Sequence, residues 1–132
     1  MTTAIIAKGS KPVIVDSSGW LEYMTSDEKA ALFAPYLEPQ YRVLVPTIVI
    51  YEVRKILLLR QSKATADEFA GEALGREVAP LDGKVALAAA ELSIRHQLPM
   101  ADAIIYATAQ AHQAELVTSD THFSGLPGVT II

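Results

Sequence analysis

The stretch from Pro12 to Tyr23, which reads PVIVDSSGWLEY, decides the fold. Three consecutive β-branched residues run directly into Asp16, and a short apolar run bounded by turn residues is typical of a strand buried on both faces. The residues SSG then turn the chain into an amphipathic segment. Asp16 is therefore predicted at the carboxyl end of a central strand, where open α/β sheets bind their ligands. The alternative is a turn aspartate that only accepts amide hydrogen bonds.

Outward from this stretch, short apolar runs alternate with amphipathic segments. Further strands are predicted at 41–45, 76–81, 115–118 and 129–132, and helices at 25–37, 48–61, 62–75, 82–96 and from Pro99 onward. Thr25 with Glu28 and Thr65 with Glu68 have capping-box spacing, and Pro35 is expected to disturb or end the first of these helices. The alternation predicts an α/β fold, a three-layer α/β/α sandwich with a central, mostly parallel sheet. At 132 residues, the chain is predicted to be one domain, 1–132.

Composition limits the function classes. Hydrophobic residues make up 51% and charged residues 20%, which excludes a disordered chain. No apolar run approaches the roughly 18 residues of a membrane span, and the start MTTAIIAKGSK lacks signal-peptide features, so a cytoplasmic protein is expected. The absence of cysteine excludes disulfides and thiolate metal sites, so any metal must be held by oxygen or histidine. The net charge of −4 argues against a nucleic-acid partner, unless several acids converge on one site.

The segment 48–61 is apolar nearly all round, which predicts a helix buried in the core or in an oligomer interface. Glu52 lies in its first turns. A buried carboxylate without a partner is strongly unfavourable, so Glu52 requires either a cationic side chain, Arg54 or Arg42, or a metal ion.

Two further acids have the same character. Asp102 opens the apolar helix LPMADAIIYATA, although an acid in the positive first turn of a helix is also favourable without any catalytic role. Asp120 follows the strand LVT, and a turn or cap aspartate is its alternative. With the two acids described above, they make a group of four that is predicted to lie at one edge of the sheet. These residues, hereafter the four acids, are Asp16, Glu52, Asp102 and Asp120. Oxygen ligands indicate Mg²⁺ or Mn²⁺, and such a cluster suits hydrolysis of a phosphodiester.

The motifs VDSSGW, IVIYEV, LPMADAIIYATA and LVTSDTHF resemble the PIN-domain ribonucleases, and most closely the VapC toxins of bacterial type II toxin–antitoxin pairs. The resemblance covers essentially the whole chain. It implies that the four acids are the catalytic, metal-binding quartet of this family. It also implies that Thr118 matches the threonine two residues before the last acid, and that Ser18 is a small polar residue near the metal. Both are candidate substrate-binding residues.

The same resemblance implies an endoribonuclease that uses Mg²⁺ or Mn²⁺, forms a homodimer and is inhibited by a cognate antitoxin. Arg54 and Lys55 are candidates for contacts with RNA phosphates, and a solvated helix face is their alternative. The histidines show no ligand spacing, so His96 and His112 are expected as caps or surface residues. His122, two residues from Asp120, is also a candidate substrate contact.

Other functions remain compatible with the pattern. A housekeeping PIN-domain nuclease would process RNA without an antitoxin, and a catalytically silent module would bind RNA or metal. A phosphorylation receiver also carries acids at strand ends, but it groups two acids after the first strand and has a lysine near the last. Here Asp16 is followed by serines and Asp120 by Thr121.

Overall fold

A computed structural model describes residues 11–132, and the first ten residues of the predicted domain lie outside this range. Five strands form one sheet in the order β3-β2-β1-β4-β5, and every pairing is parallel. The strands are β1 (Val13–Val15), β2 (Val43–Pro46), β3 (Glu77–Ala79), β4 (Glu115–Thr118) and β5 (Val129–Ile131). The predicted parallel sheet is confirmed, with β5 at its edge as expected.

Within residues 11–132, six helices lie in pairs between β1 and β2, between β2 and β3, and between β3 and β4, which confirms the predicted α/β architecture. They are α1 (Ser17–Met24), α2 (Ala30–Phe33), α3 (Thr47–Arg60), α4 (Lys63–Leu74), α5 (Gly83–His96) and α6 (Met100–Ala111), with 3₁₀ turns at Ala34–Leu37 and Thr121–Phe123. Asp82 caps α5 by accepting a hydrogen bond from the Val85 amide at 2.9 Å, as its sequence position predicts. Within residues 11–132, no helix has both the length and the hydropathy needed to span a membrane.

The predicted capping box of Thr25 with Glu28 is wrong. Thr25 instead ends α1, and its hydroxyl donates to the Leu21 carbonyl at 2.7 Å. Ser26 then takes a positive φ of 52°, a left-handed conformation that interrupts the helical path. The next helix therefore begins only at Ala30, well after the predicted cap.

The second predicted capping box is also misplaced, because α4 begins earlier than the spacing of Thr65 and Glu68 suggests. Ser62 caps this helix, and its hydroxyl accepts a hydrogen bond from the Thr65 amide at 3.1 Å. The expected effect of Pro35 is confirmed, since α2 ends at Phe33 and the chain continues as a 3₁₀ turn.

The centre of the core is β1, whose three residues are all buried. Helices on both faces exclude water from it, which explains the continuous apolar run in the sequence. Burying one such side chain contributes about 1.5–3 kcal/mol, so the strand that ends at Asp16 is firmly anchored.

The predicted apolar helix α3 has two different faces. Val49, Val53 and Leu57 recur at helical spacing and are fully buried. On the outside, Tyr51 and Leu59 are 60% and 72% exposed. The apolar pattern of α3 thus combines a core face with an exposed apolar face.

Gly19 fixes how closely α1 packs on the sheet. A Cβ atom at this position would lie 2.5 Å from Val15 Cγ1 and 2.6 Å from the Phe33 ring. We expect Gly19→Ala to lower the free energy of unfolding by about 1–3 kcal/mol through overpacking. Chemical denaturation monitored by circular dichroism measures this change.

The matched control is Gly71→Ala in α4, where an added Cβ has no neighbour within 4 Å. This substitution should instead stabilise the helix by roughly 0.5–1 kcal/mol, since alanine restricts the unfolded chain. Equal stability of Gly19→Ala and the wild type would contradict the packing described here.

Candidate active site

Two neighbouring strands carry Asp16 and Asp120 to the same edge of the sheet. β1 and β4 are paired in parallel with Val15 opposite Val117, and the Asp16 amide donates to the Val117 carbonyl at 2.9 Å. Asp16 directly follows β1, and Asp120 lies two residues beyond β4. Because carboxyl ends of parallel strands share one edge, these two acids face a common region.

Two helix beginnings supply the other acids. Glu52 is in the second turn of α3, and the Ser17 hydroxyl donates to its Oε1 at 2.6 Å. Asp102 lies in the first turn of α6 and is coupled electrostatically to both Asp16 and Asp120. All four acids are therefore grouped at one edge, as the sequence predicted.

The hydroxyl of Thr118 connects the two strand ends. It donates to Asp16 Oδ2 at 2.7 Å and accepts from the Asp120 amide at 2.9 Å. Ser18 lies beside it, with its hydroxyl 3.4 Å from Thr118 Oγ1 and 3.4 Å from Asp16 Oδ2. Both residues singled out by the family resemblance thus contact Asp16.

Asp16 is the most enclosed of the four acids, with 4% of its surface exposed. Burial raises the pKa of its carboxyl, and the charges of Asp120 and Glu52 act in the same direction. Hydrogen bonds from Thr118 and from the Ser17 amide oppose this rise. Burial, followed by the charges of Asp120 and Asp16, also raises the pKa of Asp102 to about 6. Burial is the main cause of both shifts, and the neighbouring carboxylates add to it.

The expected cationic partners of Glu52 are engaged elsewhere. Arg54 pairs with Asp67 at 3.1 Å, and Arg42 forms a bidentate pair with Glu77. Within residues 11–132, no lysine or arginine forms an ion pair with any of the four acids. The salt-bridge interpretation of Glu52 is therefore wrong for this structure.

The two predicted phosphate-binding residues differ in their surroundings. The Arg54 guanidinium contacts α4, because it pairs with Asp67 and donates a hydrogen bond to the Ala66 carbonyl at 3.1 Å. Lys55 is exposed, and its ammonium lies 5.6 Å from the centre of the Tyr51 ring. The structure thus brings neither side chain into contact with the four acids.

His122 also lies beside the four acids. The sequence did not identify this residue as a metal ligand. Its Nδ1 lies 3.2 Å from Asp102 Oδ2 and 3.1 Å from Asp120 Oδ1, and Asp120 in particular raises its pKa. One donor atom from each of these three residues lies within 4.8 Å of the others. The structure therefore groups His122 with two of the acids, although its sequence spacing did not suggest a ligand. Its position two residues after a strand-end acid was the available signal.

Ser17 is a second contact that the sequence did not single out. The only signal in the sequence was its place directly after Asp16, at the first position of α1. This place puts its hydroxyl at the same edge of the sheet as Glu52 in α3. Its bond to Glu52 joins residues 35 positions apart in the chain.

The carboxylates of the four acids are suitable ligands for a divalent cation. Carboxylate oxygens are the ligands preferred by hard divalent ions. A cation would offset both the burial and the neighbouring negative charges that raise the pKa of Asp16 and Asp102. The edge of the sheet thus contains an acidic group able to hold a divalent metal ion.

Comparison with known proteins agrees with this architecture. The family model of the PIN domain matches residues 13–129. Among curated proteins, no relative matches the chain.

Several solved structures share the fold. A toxin–antitoxin complex from Klebsiella pneumoniae has a TM-score of 0.78 at 23% identity, covering 89% of this chain and 95% of its own. VapC20 from Mycobacterium tuberculosis, described as a sarcin-ricin loop cleaving toxin, has a TM-score of 0.75 at 19% identity, with 89% and 96% covered. The DNA-bound VapBC of Salmonella typhimurium has a TM-score of 0.72 at 15% identity, with 93% and 98% covered.

At these identities, the likeness to solved structures concerns the fold alone. The family match is independent of it and extends from β1 to the start of β5. The resemblance predicted from the sequence motifs is thereby confirmed, and the chain belongs to the PIN-domain family.

Proposed function

We propose that this protein is the endoribonuclease toxin of a toxin–antitoxin pair, and that it hydrolyses RNA phosphodiesters with a divalent ion. PIN domains are generally nucleases that use divalent metal ions. One observation carries the proposal, namely the convergence of acids without lysine or arginine partners in the described part of the chain. The proposed ligands of Mg²⁺ or Mn²⁺ are Asp16, Glu52, Asp102 and Asp120.

The chain's own residues would prepare this site in a defined way. Each oxygen of Asp16 accepts a hydrogen bond, one from the Ser17 amide at 2.8 Å and one from the Thr118 hydroxyl at 2.7 Å. These neutral donors orient the carboxylate and leave its charge for the ion. When bound, the ion would supply activation of the attacking water and stabilisation of the leaving oxygen.

RNA as substrate is supported by charge and by analogy. Setting the four acids aside, the remaining 15 − 4 = 11 acidic residues balance the 11 basic residues, so the rest of the chain does not repel a polyanion. Among proteins of this fold, VapC20 is described as cleaving the sarcin-ricin loop. We propose that Ser18 and Thr118 position Asp16 beside the substrate. Lys55 is the better candidate for a phosphate contact, because Arg54 is already paired with Asp67.

A protein partner is the second part of the proposal. Large apolar side chains are exposed on α3 and also on α5, where Leu87 and Ile94 are 73% and 82% exposed. Such surfaces in a small protein commonly bind other chains. The Klebsiella and Salmonella relatives are complexes of toxin with antitoxin. We therefore propose that an antitoxin and a second copy of this chain cover these faces.

Single substitutions of the acids test the proposed metal site. Asp16→Asn and Asp102→Asn should each reduce RNA cleavage by roughly 100-fold or more, because loss of one ligand charge lowers affinity for the ion. Both variants should keep the fold. Cleavage is measured on total RNA by mapping new 5′ ends in the presence of Mg²⁺ or Mn²⁺, and folding by circular dichroism.

The matched control is Asp27→Asn, at an exposed position between α1 and α2. It should cleave like the wild type. Undiminished cleavage by both site variants would refute the assignment of the site.

The toxin interpretation is tested by expression in a bacterial host. The wild type should arrest growth and produce new RNA 5′ ends, whereas Asp16→Asn should do neither. Normal growth with soluble, cleavage-competent wild-type protein would instead favour a housekeeping nuclease. Metal-dependent RNA binding without any cleavage would favour a silent binding module.

A further prediction follows from the pKa of Asp102. Its value of about 6 in the folded protein exceeds the ordinary 3.8, so the metal-free fold binds this proton more tightly than the unfolded chain. Ionisation of Asp102 therefore destabilises the fold as pH rises from 3.8 to about 6. In EDTA at neutral pH, Asp102→Asn should melt a few degrees above the wild type, and this difference should vanish in acid.

Millimolar Mg²⁺ or Mn²⁺ should raise the melting temperature of the wild type more than that of Asp102→Asn. Glu91→Gln, at an exposed position on α5, serves as the control for net charge. A melting temperature unaffected by metal would contradict a site built from clustered carboxylates.

A further inference from the structure

His122 contacts two of the proposed metal ligands. Its ring nitrogen Nδ1 is 3.1 Å from Asp120 Oδ1 and 3.2 Å from Asp102 Oδ2. Adjacent ligands of a six-coordinate ion are separated by about √2 times the metal–ligand distance, which is roughly 3.0 Å for distances near 2.1 Å. The spacing of this nitrogen from two proposed ligands is thus that of adjacent corners of one coordination shell.

The local backbone holds the imidazole in this position. The His122 amide donates to Asp120 Oδ1 at 2.9 Å and closes the turn Thr121–Phe123. The next side chain, Phe123, is completely buried and anchors the turn to the core. The ring itself is 61% exposed and reaches the two carboxylates from the solvent side. The turn is thus anchored in the core while its exposed ring contacts two acids.

We propose that His122 is a nitrogen ligand of the divalent ion, and that it makes this site prefer a first-row transition ion such as Mn²⁺ over Mg²⁺. The proposal rests on the proposed function, since it concerns the same metal site. Mg²⁺ is bound almost entirely through oxygen, whereas imidazole is a good ligand for transition ions. A mixed set of carboxylates and one imidazole therefore discriminates between ions that carboxylates alone would bind similarly. The absence of cysteine removes the thiolates that would favour zinc.

Pulsed electron paramagnetic resonance of the Mn²⁺-loaded protein tests this proposal directly. The wild type should show coupling of the Mn²⁺ electron spin to an imidazole nitrogen. His122→Gln retains a polar side chain with an oxygen donor, so it should lose the coupling. We expect its affinity for Mn²⁺, measured by titration calorimetry, to fall at least about tenfold, while its affinity for Mg²⁺ changes little.

His112→Gln is the matched control. His112 is the C-cap residue of α6, at the opposite end of this helix from Asp102. This variant should retain both the nitrogen coupling and the Mn²⁺ affinity of the wild type.

The outcomes separate this inference from the proposed function. Nitrogen coupling that persists in His122→Gln, or that is missing from wild type with bound Mn²⁺, would refute the ligand role. Equal losses of Mn²⁺ and Mg²⁺ affinity would refute the preference between the ions. In each case, loss of RNA cleavage in Asp16→Asn would still uphold the nuclease. A wild type that neither binds Mn²⁺ nor cleaves RNA would overturn both.

Discussion

Repulsion among carboxylates at one edge of a parallel sheet is the constraint on which this protein depends. Two acids follow strands and two lie in the opening turns of helices, and no lysine or arginine of residues 11–132 pairs with them. Burial, reinforced by the charges of neighbouring acids, raises the pKa of Asp16 and of Asp102. A divalent cation is the simplest way to compensate these charges, and the buried sheet beneath supplies the stability that such a site requires.

Neutral hydrogen-bond donors hold the cluster together. Hydroxyl groups of Ser17 and Thr118 orient Glu52 and Asp16 without neutralising them. Cationic side chains in the same places would have compensated these carboxylates and competed with a metal ion. His122 is the exception, because its ring contacts two carboxylates but can itself bind a metal. The hydrogen bonds that hold the carboxylates in place therefore also leave them able to bind the proposed metal ion.

Much of the fold was predictable from local patterns. The buried run in β1, the cap at Asp82 and the break at Pro35 each follow from short-range physics, and the structure confirms all three. Both predicted capping boxes failed, because spacing alone does not show where a helix begins. Ser26 adopts a left-handed conformation after α1, and Ser62 caps α4 one turn before the predicted residue.

The identity of the four acids and their common sheet edge could be inferred from the sequence, because every strand in a parallel sheet ends at the same side. The family resemblance singled out Ser18 and Thr118 as well, but the pattern of contacts with the acids could not be inferred. The contact of Ser17 with Glu52 joins residues 35 positions apart, that of His122 with Asp102 joins residues 20 apart, and that of Thr118 with Asp16 joins residues 102 apart. Such contacts depend on the order of strands in the sheet and on the packing of helices against it. Periodicity along one segment carries no information about either, so only the tertiary structure decided which side chains complete the site.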